Sequence, residues 1–329
     1  MAVIRPRSIV VVATPTAPLL PDLLHALFHT PGLEVTVLTR ETTIKVPIPH
    51  AHTHAGNGLQ NSGNPPTTSW IAHVKTSFAE PELTSLLEGK ETLICCLTGI
   101  DIHLSPDLIA AAQRAGVKRF LPAEFGLDTG KEEIRSLLPP YQTRFEIQRR
   151  LKSSGMRWTA VYSGLMLEEA LKENGILGID VLWASVVVFP HDEKVRVALS
   201  SYRDVANAIV DVVVGNGEAH TEVYTAGFLK TLEEVVTAVE KTLDRVVDRY
   251  EGTFEGARKE AAERMKLGYF DGGVALMGRV AAWDERVDAW RYLRSESVVE
   301  RSAGDWEEEV GRVVKGVREG QIKGDGCGC

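Results

Sequence analysis

Ser8-Ile9-Val10-Val11-Val12-Ala13-Thr14-Pro15-Thr16-Ala17-Pro18-Leu19-Leu20 lies close to the N-terminus, and its reading decides the fold. The first half is a short β-branched run without polar alternation, the pattern of a strand buried on both faces. The second half leads into Pro21-Asp22-Leu23-Leu24-His25-Ala26-Leu27-Phe28, whose leucines recur at helical spacing. Strand, tight turn and helix in this order predict the opening of a doubly wound α/β domain. In such domains the first turn cradles a dinucleotide pyrophosphate with glycines and open backbone N–H groups. This turn has the place of that loop but not its residues: no glycine occurs between Met1 and Pro31.

Downstream the same rhythm continues. Glu34 to Thr39 reads as a second strand ending in Arg40, followed by a polar stretch from Glu41 to Ser69 that is too long for an ordinary connection. Trp70 to Phe78 predicts a third strand and Pro81 to Leu87 a short helix. Leu93 to Leu97 predicts a fourth strand, with Thr98-Gly99 at its C-terminal end. Ser105-Pro106 reads as an N-cap followed by a first-turn proline, and Gly116 as the stop of that helix. Val117 to Leu121, a helix from Arg144 to Ser154 stopped by Gly155, and a strand from Trp158 to Tyr162 complete the alternation. This βαβ order implies a mainly parallel sheet. Beyond Ser163, helices are expected at Ser201 to Val214 and Leu232 to Val247, with a strand-like segment at Val181 to Phe189. A largely helical stretch from Thr253 to Glu319 follows, with Trp283, Trp290, Trp306, Val310 and Val314 in its core. The expected division is a nucleotide-binding domain over 1–162, a smaller, mostly helical substrate-binding part over 163–319 and a disordered tail over 320–329.

The chain has 329 residues, 44% of them hydrophobic and 25% charged, with a formal net charge of -8. That balance predicts a globular protein with ample core and argues against a nucleic-acid partner, which calls for a basic footprint. No segment has the length of a membrane span. The start, Met1 to Arg7, leads straight into a strand, so no targeting segment is expected. Cys95 and Cys96, adjacent in an apolar run, read as buried thiols of a reducing compartment, the cytoplasm. Cys327 and Cys329 close a glycine-rich end, read as a disordered tail rather than a lipidated one.

Ala115-Gly116-Val117-Lys118-Arg119-Phe120-Leu121-Pro122-Ala123-Glu124-Phe125-Gly126 is the most specific signal in the chain. It resembles the AGVKRFxPSEFG signature of the NmrA-like and isoflavone reductase-like family of atypical short-chain dehydrogenases. Val35 to Arg40, Gly155 to Val161 and Leu199 to Val205 resemble further family segments. The likeness covers the first two thirds of the chain and becomes loose in the last third. It implies a Rossmann-type fold, NADP(H) binding and hydride transfer to a small conjugated or aromatic molecule, often in secondary metabolism. It also places Thr14, Thr16, Ala17, Arg40, Thr98, Gly99 and Phe125 at the cofactor. NmrA itself senses dinucleotides without catalysing anything.

The family's three turn glycines fall on Thr14, Ala17 and Leu20. Threonine is costly at the first position if φ is positive, Leu20 removes the close helix-to-strand approach, and Pro18 deletes an N–H. Each charge-assisted hydrogen bond lost costs about 1.5–3 kcal/mol, so weakened cofactor binding is expected. The family's catalytic lysine falls on Arg144, which can polarise a carbonyl but does not release a proton near neutral pH. Arg40 is either the partner of the 2′-phosphate of NADP or a solvated strand-end arginine. Glu124 is a candidate acid, set against a loop-anchoring role, and Asp128 and Asp204 read as turn and cap residues. His50, His52 and His54 alternate as zinc ligands could, but without a completing ligand nearby, so no metal site is expected.

Three readings therefore stand: an NADP(H)-dependent oxidoreductase, a redox-neutral isomerase, cyclase or lyase on the same scaffold, and a non-catalytic dinucleotide sensor or interaction protein. The sequence does not decide the oligomeric state.

Overall fold

The computed structural model describes residues 7–42, 70–172, 175–190, 194–215, 221–294, 299–300 and 304–322. The polar stretch with His50, His52 and His54 and the terminal Cys327 and Cys329 lie outside them. In chain order the elements are β1 (Arg7–Ala13), α1 (Leu20–Phe28), β2 (Leu33–Thr39), β3 (Trp70–Lys75), α2 (Glu80–Leu87), β4 (Thr92–Cys96), α3 (Ser105–Arg114), β5 (Arg119–Leu121), α4 (Glu132–Leu137), α5 (Pro139–Ser153) and β6 (Arg157–Tyr162). There follow β7 (Leu165–Met166), α6 (Leu167–Leu171), β8 (Ile179–Asp180), β9 (Ser185–Val188), β10 (Val197–Ser200), α7 (Tyr202–Val214), β11 (Thr221–Ala226) and β12 (Phe228–Lys230). The last elements are α8 (Leu232–Leu243), β13 (Asp248–Glu251), α9 (Phe254–Lys266), α10 (Phe270–Trp283), β14 (Val299–Glu300) and α11 (Trp306–Arg318).

The main sheet has the order β14-β11-β6-β5-β4-β1-β2-β3, with the pairings from β3 through β6 parallel. Its strands thus follow the 3-2-1-4-5-6 order of a Rossmann-type doubly wound fold, whose topological switch point lies between β1 and β4. The physical cause is the apolar run of β1: Ile9 through Ala13 are buried, paired with β2 on one side and β4 on the other. Leu20, Leu23, Leu24 and Leu27 of α1 bury the helix stripe. At roughly 1.5–3 kcal/mol for each such side chain, the apolar stripe rather than intrinsic propensity holds a helix of nine residues.

The chain divides into two compact units. One comprises 1–123, 146–160 and 205–223; the other comprises 124–145, 161–204 and 224–329. The second unit has its own core, including Trp283, Trp290, Val310 and Val314, with Trp306 packed against it. It also contains two small sheets, β12-β10-β7 and β13-β9-β8, beside α8 to α11.

Several local readings are corrected. Ser105 does not cap α3 from outside. A 3-10 turn over Gly99–Leu104 feeds directly into the helix, so Ser105 is its first residue and the cap position, Leu104, is already helical. α5 begins five residues before Arg144, at Pro139-Pro140, because prolines fit the first helical turn, where no N–H is needed. α8 stops at Leu243, before Val247, because Asp244 turns left-handed with φ +50°. Gly116 and Gly155 adopt φ +74° and +76°, the backbone shape for which glycine stops are selected. Of the expected tail, Gly320–Ile322 are ordered: the Gln321 and Ile322 amides return to the Gly316 carbonyl and close α11. Among the described residues no helix is long and apolar enough to cross a membrane.

Candidate functional site

The parallel register pairs Val12 with Leu38 and Ala13 with Cys96, so the residues after β1, β2 and β4 emerge at one sheet edge. Those residues include Thr14, Arg40, Thr98 and Gly99. The Thr14 amide donates to the Cys96 carbonyl at 3.3 Å, and the Thr14 hydroxyl accepts from the Thr98 amide at 3.0 Å. The same hydroxyl donates to a carboxylate oxygen of Asp101 at 3.1 Å. Gly99, at φ +57°, lets the chain reverse. The following 3-10 turn brings Asp101 back to the edge, where it also pairs with Arg40. Asp101 is buried, whereas the Arg40 side chain is about half exposed.

The glycine-free turn resolves without strain. No residue from Thr14 to Leu20 has positive φ, so the penalty expected for threonine at the first position does not arise. The Ala17 amide donates to the Thr14 carbonyl at 2.9 Å and the Leu20 amide to the Ala17 carbonyl at 3.0 Å, giving two successive turns. Pro15, Pro18 and Pro21 have no amide to offer. Of the three predicted turn residues, Thr16 is exposed, Ala17 is buried and Thr14 is half-buried. Leu20 is fully buried, filling with a core side chain the space that a glycine would leave open.

Glu124, Phe125 and Arg144 belong to the other unit and are all buried there. Gly126 shows why the signature ends in glycine. A Cβ at this position would stand 2.8 Å from the Tyr141 hydroxyl and 3.6 Å from an Arg144 guanidinium nitrogen. Tyr141 and Arg144 share one face of α5 at i, i+3 spacing, with the guanidinium 5.3 Å from the centre of the Tyr141 ring. The Gly126 carbonyl accepts from the amides of Ser163 and Gly164 at 3.2 Å each, tying the signature loop to the end of β6. The tight place around Gly126 therefore holds a permanent cation and a phenol side by side.

The same unit contains residues to which the sequence did not point. The Tyr224 ring stacks on Tyr292 at 4.9 Å and lies 5.2 Å from Tyr162. The Tyr224 hydroxyl donates to Asp128 at 3.1 Å, and Asp128 also accepts the Gly130 amide at 2.7 Å as an Asx turn. Partial burial lowers the Lys131 ammonium from its ordinary value, and burial raises the Tyr292 phenol. Asp204 caps α7 by accepting from the Ser201 amide at 3.0 Å and its hydroxyl at 2.8 Å. Tyr224 and Tyr292 are 68 residues apart in sequence, so no local pattern announces their stacking.

Among the described residues no group of three or more metal-ligating side chains converges. Cys95 and Cys96 are buried, and burial pushes the Cys96 thiol well up. A groove of about 680 Å³ between α8 and α11 is lined by charged ends such as Lys241, Glu307 and Lys315 and includes none of the residues above.

The fold has counterparts among solved structures. The structure of leucoanthocyanidin reductase with NADPH from Vitis vinifera matches at a TM-score of 0.69 and 14% identity, covering 93% of this chain and 99% of that one. A structure of AtPrR2 with NADP+ and (+)-pinoresinol matches at 0.68 and 17%, covering 94% and 99%. At these identities the likeness is one of fold. In sequence, oxidoreductase aprR of Aspergillus flavus is 33% identical over 111 residues, 32% of this chain and 37% of that protein. The chain thus matches little more than a third of that relative's length. The NmrA-like family model matches residues 11–269. With more than half of its length covered by that match, the chain belongs to the NmrA-like family.

Proposed function

We propose that this protein is an NADP(H)-dependent oxidoreductase acting on a small conjugated or aromatic metabolite, in secondary metabolism. The observation that carries the reading is Arg40: a half-exposed guanidinium directly after β2, level with Thr14 and Thr98 beside the β1/β4 switch point. Open α/β sheets bind ligands in the crevice outside this edge, and arginine is suited to a phosphate group. The named neighbours, complexes with NADPH and with NADP+ and (+)-pinoresinol, support the same cofactor and an aromatic substrate.

The residues present fit a dinucleotide in a modified way. Arg40 would hold the 2′-phosphate. The start of α1, with the exposed Thr16, would face the pyrophosphate with fewer amides than a glycine loop offers, because those of Ala17 and Leu20 already close turns. The bound cofactor would supply the hydride. In the second unit, Arg144 beside Tyr141 offers a fixed positive charge for a carbonyl or enolate oxygen. Arginine does not give up its proton near neutral pH, so protonation falls to water or to another group. Glu124, buried in the signature loop, is assigned to anchoring that loop.

A redox-neutral reaction is the second reading, favoured by one observation: arginine rather than lysine stands at position 144. Titration of purified protein with NADPH, followed by fluorescence or heat, separates the two. Saturable binding supports the oxidoreductase. No binding up to millimolar concentration rejects it and leaves the redox-neutral enzyme.

A further inference from the structure

The cation assigned to the 2′-phosphate already has an anion. Arg40 pairs with Asp101, whose side chain is only 7% exposed. The other Asp101 oxygen accepts from the Thr14 hydroxyl at 3.1 Å, and that hydroxyl is itself positioned by the Thr98 amide at 3.0 Å. The Asp101 amide donates back to the Thr98 carbonyl at 3.1 Å. The carboxylate is thus held by Thr14 after β1, and the Asp101 backbone by Thr98 after β4, while it reaches the arginine after β2. A buried carboxylate whose second oxygen is hydrogen-bonded does not swing aside as a solvated one would.

We propose that Asp101 is a built-in competitor for the 2′-phosphate at Arg40. It sets the affinity for NADPH and lowers the preference for 2′-phosphorylated over unphosphorylated adenine nucleotides. The inference rests on the cofactor reading above and concerns a residue that reading does not use. The argument is electrostatic. An arginine fork binds phosphate best when both edges are open and its charge is uncompensated. Here one guanidinium nitrogen is engaged and the pair is neutral, so an arriving 2′-phosphate meets a fixed like charge within contact range of its own partner. Removing that charge while keeping the side-chain shape frees Arg40 for phosphate.

The test uses adenosine 2′,5′-bisphosphate and 5′-AMP, which differ only in the 2′-phosphate, together with NADPH. Dissociation constants are measured calorimetrically on the full chain. Asp101→Asn should tighten the bisphosphate and NADPH by tenfold or more and change 5′-AMP by less than twofold. Arg40→Gln should weaken the bisphosphate and NADPH in the native background, by a smaller factor than in the Asp101→Asn background, where it should erase the gain. Asp101→Ser provides a second uncharged side chain should the asparagine variant fold poorly, with thermal melts reporting folding. The native protein alone also decides. A bisphosphate preference over 5′-AMP that is present but below about thirtyfold supports the competitor, and a preference of a hundredfold or more overturns it. Native binding of NADPH with no gain in either Asp101 variant overturns the competitor and leaves the cofactor reading intact. Failure of native and variant proteins alike to bind NADPH or the bisphosphate overturns both.

Discussion

Replacing Glu168 by Gln removes a carboxyl group that α6 buries almost completely; its side chain is 2% exposed. Its two oxygens accept the Tyr202 amide at 3.1 and 3.3 Å, and one accepts from Arg312 at 2.5 Å. Burial pushes this carboxyl from the ordinary 4.5 up to about 7, against the opposing pull of Arg312, whose own pKa the pair raises. Because the folded value exceeds the unfolded one, the folded state holds the extra proton between pH 4.5 and about 7. Stability therefore falls as pH rises through that window and stays low above it. At 1.36 kcal/mol per unit, the full loss is about 3 kcal/mol. Glutamine does not titrate, can still accept the Tyr202 amide and leaves Arg312 paired with Glu309 at 2.8 Å. Relative to the Gln variant, the native protein should lose about 2.5 kcal/mol between pH 5 and pH 8. For a chain of this length that corresponds to about 4 °C in the difference between thermal midpoints. The assay is parallel thermal unfolding of both proteins at half-unit pH steps. A difference that stays level within 1 °C, or that moves in favour of the native protein as pH rises, refutes the burial argument.

Gly126→Ala should cost about 1–3 kcal/mol, because its Cβ would stand 2.8 Å from the hydroxyl of a rigid, buried tyrosine. Adding Tyr141→Phe should recover part of that loss in urea unfolding, and full additivity of the two changes would show that the clash is elsewhere. Tyr292→Phe should leave stability unchanged or raise it by about 1 kcal/mol, since the Tyr292 hydroxyl is buried without a hydrogen-bond partner among the described residues. A loss of more than 1 kcal/mol on urea unfolding would reveal a partner.

The elements that the sequence made legible are those whose cause is local. The β-branched run from Ile9 to Val12 forms a strand, and the leucines from Leu20 to Leu27 form a helix stripe. Gly116 and Gly155 stop helices because the residue type and the required backbone shape coincide. The start of α3 departs from its N-cap reading because that assignment presumes an extended residue before the helix, and here a 3-10 turn precedes it. Arg40 and Gly126 were visible as positions but not as environments. Arg40 meets Asp101 across 61 residues, and the side chain that forbids a Cβ at Gly126 lies on the next long helix.

By itself the sequence determined the doubly wound α/β class and the place of the first turn, because apolar periodicity and glycine stops act within a few residues along the chain. It also showed that the turn lacks its glycines, but not what replaces them. Only the tertiary structure decided that the turn closes without strain through the Thr14 and Ala17 carbonyls, that Leu20 becomes core, and that the cation beside the turn carries its own carboxylate. The physical reason is that hydrogen bonds and ion pairs depend on distance in space, and parallel strand pairing makes neighbours of chain segments that the sequence keeps far apart.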